Sequence, residues 1–113
     1  MTFSNILIKM SKNLYNSKEN KNRMDEYSIE TSTAKIEKRF KGFIREYPAI
    51  KNKLRRLQQN PRKAIDAHAL HGEFQGLWGC HLSKNPDIVL IYLIDDSKKI
   101  IGILRIGSHG QVY

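Results

Sequence analysis

The spacing of apolar positions changes once along the chain, dividing it into a helical part and a strand part. Ile36, Phe40, Phe43, Ile44 and Tyr47 fall at i, i+4, i+7, i+8 and i+11, with lysines and arginines opposite. That single stripe predicts an amphipathic helix. Thr31, Ser32 and Thr33 stand just before it, with hydroxyls able to accept from its first unpaired amides. Pro48 stops the helix and suits the first turn of the next. There Ile50, Leu54 and Leu57 keep the rhythm until Asn60-Pro61 ends it. Two antiparallel helices with almost no loop between them are expected, preceded by a short strand where Tyr27-Ser28-Ile29-Glu30 alternates.

Beyond Pro61 the rest reads as strands punctuated by Gly72, Gly76 and Gly79. Trp78, Cys80 and Leu82 should face one side of a strand, and Leu77, Gly79 and His81 the other. The unbroken apolar run Ile88 to Ile94 is the pattern of a central strand covered on both faces. Asp95 to Lys98 makes a turn, and Ile100 to Ile106 returns. Strand, helix pair and antiparallel meander together predict an α+β domain with helices on one face of a curved antiparallel sheet. Residues 1–23 read as an N-terminal extension, disordered or a misassigned start, although Phe3, Leu7, Met10 and Leu14 recur at helical spacing. Residues 24–113 are the expected domain.

Charge narrows the class of partner. The formal net charge is +9, and residues 35–63 alone hold eleven lysines and arginines against Glu37 and Glu46. A solvated helix face would carry more balancing acids, so the stretch points to a polyanion, with Lys51, Lys53, Arg55, Arg56, Arg62 and Lys63 as phosphate contacts. No apolar run approaches the roughly 18 residues of a membrane-spanning helix, and no export signal is read at the start. The lone cysteine, Cys80, allows neither an intrachain disulfide nor a paired-cysteine metal site. A soluble, cytoplasmic protein with no membrane partner is expected.

All four histidines, His68, His71, His81 and His109, lie in the strand half. Two imidazoles in one site can act as base and acid in the same reaction, because histidine titrates near neutrality. For RNA that equipment suffices without metal or cofactor: a base takes the ribose 2′-OH proton, the oxygen attacks phosphorus, and an acid protonates the departing 5′-oxygen. Arg105 is the candidate to stabilise charge on the phosphate. A metal-dependent hydrolase is the competing class, since His68 and His71 at i, i+3 with His81 and Asp87 could ligate a first-row ion. No HExxH motif or dense acidic cluster accompanies them.

Four ordered blocks carry a resemblance. They are His68-Ala69-Leu70-His71-Gly72, Gly76-Leu77-Trp78-Gly79-Cys80-His81, Asp87-Ile88-Val89-Leu90-Ile91-Tyr92, and Arg105 through Tyr113. Over roughly residues 25–113 the chain resembles the YafQ branch of the RelE superfamily of toxins. The resemblance implies a ribosome-dependent endoribonuclease that cleaves mRNA, a cognate antitoxin as partner, and no cofactor. It places the family's catalytic histidines on His68, His81 and His109, its acid on Asp87, its arginine on Arg105 and its terminal aromatic on Tyr113. His109 is then the leading general acid and His81, oriented by His68 or Asp87, the general base. His71 becomes a surface contact to RNA. A catalytically weakened member that binds ribosome or antitoxin without cutting is the alternative. Three departures stand out: Ser83-Lys84-Asn85-Pro86 lengthens the gap before Asp87, Ile88 replaces a tryptophan, and Tyr113 replaces a phenylalanine.

Overall fold

A computed structural model describes residues 8–9 and 26–113; Phe3, Leu7, Met10 and Leu14 lie outside them. In chain order the elements are β1 (Ile8–Lys9), β2 (Ser28–Thr31), α1 (Ala34–Glu46), α2 (Ile50–Gln59), β3 (His68–Ala69), β4 (Trp78–Lys84), β5 (Asp87–Asp95), β6 (Ile100–Gly107) and α3 (His109–Val112). A 3-10 turn, Gly72–Phe74, links β3 to β4. α1 begins where the hydroxyls predicted it: the Ile36 amide donates to Thr33 Oγ1 at 3.1 Å. It ends at Glu46 and is capped by Tyr47, whose amide donates to the Phe43 carbonyl just before Pro48.

The strands form one sheet in the order β1-β2-β6-β5-β4-β3. Neighbours from β3 to β6 are antiparallel, as expected of a meander. β2 departs from that expectation by lying parallel to β6. The helices and hairpins carry the chain from β2 to the far edge and back, so the last hairpin returns β6 beside β2 in the same direction. At the other side of β2, Ile8 and Lys9 pair antiparallel with Thr31 and Glu30.

β5 shows how the sheet divides the core. Ile88, Leu90 and Tyr92 join a cluster of fifteen buried residues among those described, which includes Phe40, Ile44, Ile50, Leu54 and Leu57 of the helices. Val89 and Ile91 point the other way, into a thin layer whose further buried members among the described residues are Leu70 and Val112. Burying one such side chain contributes about 1.5–3 kcal/mol, so the helix-side cluster supplies most of the stabilisation. Since α1 and α2 pack on that side, α2 with its cations lies across the sheet from the thin layer that receives Val112 of α3, while Arg39 of α1 reaches round the edge to α3.

A polar clasp closes the end near the Asp95–Lys99 turn. Arg62 binds Asp96 through two nitrogens, at 3.0 and 2.8 Å, and the Tyr27 hydroxyl donates to the same carboxylate at 2.6 Å. Arg62, expected to meet phosphate, is thus engaged within the fold, with its guanidinium also 5.9 Å from the Trp78 ring centre. Hydrogen bonds from Arg62 and then Tyr27 hold the Asp96 carboxyl well below the usual carboxylate range. Asp66 and Asp87 are also lowered. A carboxylate whose folded-state value is depressed stabilises the fold fully above its unfolded value, about 3.9, and that contribution is lost as pH falls through the folded value. The thermal midpoint should therefore drop progressively below about pH 5, with a shallower decline in Asp96→Asn. Parallel melting curves for the two proteins would show that the clasp has no such role.

Candidate active site

Two of the four histidines, His81 and His109, come together on the thin side of the sheet. Cys80 and Leu82 of β4 point into the helix-side core, so alternation turns His81 to the opposite face, opposite Val89 in register. Arg105 is in register with Ile91 on the same face. After β6, Ser108 starts α3 with a reciprocal capping arrangement: its side chain accepts from the Gln111 amide while Gln111 Oε1 accepts from the Ser108 amide. Gln111 also receives a long contact from Arg39 at 3.4 Å, and Arg39 donates to the Ile106 carbonyl at 3.0 Å. These bonds place His109 beside His81, with ring centres 4.8 Å apart and planes tilted by 45°.

Each ring is held by a carboxylate. The His109 amide donates to Asp87 Oδ2 at 2.8 Å, and Nδ1 lies 2.9 Å from Asp87 Oδ1. Asp87 therefore reaches the site despite the longer approach. β4 runs on through Lys84, which is in register with Asp87, and a shift between His81 and Ser83 takes up the extra length. Hydrogen bonds from the amide and ring of His109 lower the Asp87 carboxyl from its ordinary value.

The expected orienters of His81 are corrected by the geometry. Neither His68 nor Asp87 has that position. Asp66 does, taking the His81 amide on Oδ1 at 2.8 Å and contacting Nδ1 through Oδ2 at 2.5 Å. Burial works to raise the Asp66 carboxyl, but the bonds from the amide and ring of His81 outweigh it and hold the group lowered. An ionised carboxylate only accepts, so the His81 Nδ1 carries the proton and Nε2 presents a lone pair when the ring is neutral. His68 instead donates from Nδ1 to the Asp66 carbonyl at 2.9 Å. Sequence reasoning missed Asp66, although it stands two residues before His68.

Aromatic rings extend the site. Tyr113 stacks near His109 at 5.9 Å, Phe74 meets Tyr113 edge-on at 5.7 Å, and the Arg105 guanidinium lies 5.2 Å from the Phe74 centre. Arg105 also donates to the Val112 carbonyl at 2.8 Å, tying down the chain's last turn. Gly79 allows the tyrosine to settle: a Cβ there would stand 2.9 Å from the Tyr113 hydroxyl and 3.2 Å from Leu70 Cδ2. Burial raises the Tyr113 hydroxyl above its ordinary pKa. Ile88 is 1% exposed in the helix-side core, so the substitution there leaves Tyr113 and Phe74 as the rings facing the site.

The remaining candidates are spread out. His71 is exposed at the head of the 3-10 turn, and His68 on β3 is exposed. Lys51, Arg55 and Arg56 are exposed on α2, Lys53 is half-buried, and Lys63 is exposed beyond the helix. A further cleft of about 290 Å³ lies where β6 runs past the end of β2, lined by Thr33, Lys35, Arg39, Arg105 and Gln111 among others. It joins the helix face to α3. Polyanion binding by the helices should depend steeply on salt. Replacing Lys51 and Arg55 together by glutamine should flatten the slope of log K against log salt by about 1.4–1.8, two phosphate contacts at about 0.7–0.9 each. An unchanged slope in filter-binding titrations would leave these cations as solvated surface.

No sequence among curated proteins matches the chain. Two solved structures of E. coli YafQ share the fold. One, at 24% identity, has a TM-score of 0.55 and the other, a histidine-to-glutamine mutant at 23%, has 0.52; each alignment covers 75% of this chain and 96% of the YafQ chain. The model of the YafQ family, described as the bacterial toxin of a type II toxin–antitoxin system, matches residues 8–113. That match takes in the helices, the sheet and both carboxylate-held histidines, and the chain belongs to the YafQ family of type II toxins.

Proposed function

We propose that this toxin is a metal-independent endoribonuclease acting on mRNA at the ribosome, in the cytoplasm, by histidine acid–base catalysis. The observation that carries the reading is the pair of imidazoles 4.8 Å apart, each with a carboxylate on Nδ1. His81, with Nε2 free to accept, takes the proton from a ribose 2′-OH. The 2′-oxygen attacks the adjacent phosphorus, and a 2′,3′-cyclic phosphate forms as the bond to the 5′-oxygen breaks. His109, in its protonated form, delivers a proton to that oxygen, while Asp87 stabilises the charge the ring carries before transfer. Arg105, anchored on Val112 and Phe74, has further donors for the phosphate oxygens. Tyr113 and Phe74 offer ring surface for a base. His68 lies behind the tyrosine: Nε2 and the Tyr113 hydroxyl crowd the same side of Gly79.

A toxin of a type II system has a protein antitoxin, and charge complementarity favours one that brings acidic side chains to the cations of residues 35–63. Expression of the chain alone should arrest growth with loss of translation and cleaved mRNA ending in cyclic phosphate. Co-expression of the antitoxin should restore growth. Unimpaired growth with abundant soluble protein, or arrest with intact mRNA, would overturn the reading.

A further inference from the structure

α1 carries a groove that the histidine chemistry leaves unused. The cleft of about 290 Å³ beside β6 has Lys35, Arg39 and Arg105 as its charged lining, with no acidic side chain among the described residues. A second hollow, of about 410 Å³, adjoins it along α1 and is lined by Gly42, Phe43 and Arg45. Arg39 lines both. Across the two, Glu46 is the one acid among the described lining residues, and it stands at the far end. Gly42 keeps the second hollow open: a Cβ built there would approach the Arg45 guanidinium no closer than 3.9 Å.

Two kinds of surface follow one another along this groove. Lys35 is exposed. Arg39 uses Nη2 on the Ile106 carbonyl and the long Gln111 contact, which leaves others of its five N–H donors for a ligand. Thr33 caps α1 and lines the same cleft, so the positive end of the helix dipole adds to the field there. Phe43 then offers a half-buried ring, with the Arg39 guanidinium 5.9 Å from its centre. Cations for a phosphate followed by a ring for a base are the elements of a single-stranded nucleic-acid track, and their alternation favours a nucleotide over an acidic peptide. Arg105 makes the groove continuous with the histidine site, since it lies against Phe74 and also lines the cleft.

We propose that this groove holds the RNA strand next to the scissile phosphate, with a neighbouring phosphate between Lys35, Arg39 and Arg105 and a base on Phe43. The choice of RNA rests on the ribonuclease reading above. Binding of a single strand in the groove does not require cleavage.

The test uses the full chain and single-stranded RNA with every 2′-hydroxyl methylated, so that no 2′-oxygen can attack. A hexanucleotide should shift the amide NMR signals of Lys35, Gly42 and Phe43 together with that of His109, whereas a dinucleotide, with its single phosphate, should shift His109 and leave those three in place. Lys35→Gln should flatten the hexanucleotide's slope of log K against log salt by about 0.7, one contact on a single strand. Phe43→Leu, which keeps an apolar side chain against the core, should weaken hexanucleotide affinity by about fivefold or more, the lower end for a stacked base. Dinucleotide affinity should be unchanged in both variants, which damage to the fold would not allow. Equal losses on both lengths would overturn the groove. Normal hexanucleotide binding by variants that lose affinity for the antitoxin would overturn it too, and assign the surface to that protein. Unmoved amides at Lys35, Gly42 and Phe43 in a chain that cleaves mRNA would overturn the groove and leave the ribonuclease reading standing. Length-dependent binding through the groove by a chain that never cleaves mRNA on ribosomes would support the groove and count against that reading.

Discussion

His109→Ala is expected to slow RNA cleavage by about 10²–10⁴-fold while leaving ribosome affinity nearly intact, the range a positioned general acid typically contributes. The argument lies in the leaving group: a 5′-alkoxide departs with difficulty, and His109 is the exposed imidazole beside His81 that can protonate it. The loss should largely disappear on a substrate with sulfur at the 5′-bridging position, because a thiolate leaves without a proton. His81→Ala, lacking a base, should not be rescued in this way. Wild-type rate should trace a bell in pH, because a base and an acid must hold opposite protonation states for turnover. Rescue of His81→Ala and not His109→Ala would reverse the two roles. Wild-type rate in His109→Ala would remove His109 from the chemistry altogether.

The second large effect is assigned to Asp66. In Asp66→Asn the His81 amide should keep the side-chain oxygen on its present side, since that amide is now bonded to Oδ1. The new NH₂ then faces His81 Nδ1 in place of Oδ2 and, being a donor, requires Nδ1 to accept. The ring's proton moves to Nε2, the atom that should take the 2′-OH proton. In serine proteases the equivalent wrong-tautomer change costs about 10⁴-fold in kcat with the geometry intact, and a loss of that order is expected here. Asp66 is 40% exposed, so folding should survive, and proton NMR of the His81 ring would report the changed tautomer. Full activity in Asp66→Asn would mean that His81 is not the base.

Much of the fold was legible because amphipathic periodicity records which face is buried. The stripe through Phe40 and Ile44 and the run through Ile88 to Ile94 appear as α1 and the doubly covered β5. The direction of β2 was not legible, since a four-residue strand carries the same alternation whether its neighbour runs parallel or antiparallel. His81, His109 and Tyr113, named from separate blocks of the sequence, stand side by side. Their orienting acids were only half legible. Asp87 lay inside a matching block, whereas Asp66 sits in the irregular stretch after α2, where side-chain spacing says nothing about direction. The cations were visible as a sum, but their distribution over one face of the sheet, and the withdrawal of Arg62 into the clasp, depend on tertiary contacts.

The separation of the two faces bears on how such a protein can change over generations. The side chains assigned to chemistry are all at least partly exposed and stand on the thin layer, while the fifteen-residue core lies beneath the helices. Loss of one of these histidines therefore leaves the buried core intact. A cell under selection to escape the toxin can do so by one substitution on the histidine face and still make a folded protein. That protein would keep its cationic helices and continue to compete for the same antitoxin. Disarmed copies that titrate antitoxin away from active ones are thus within a single mutational step.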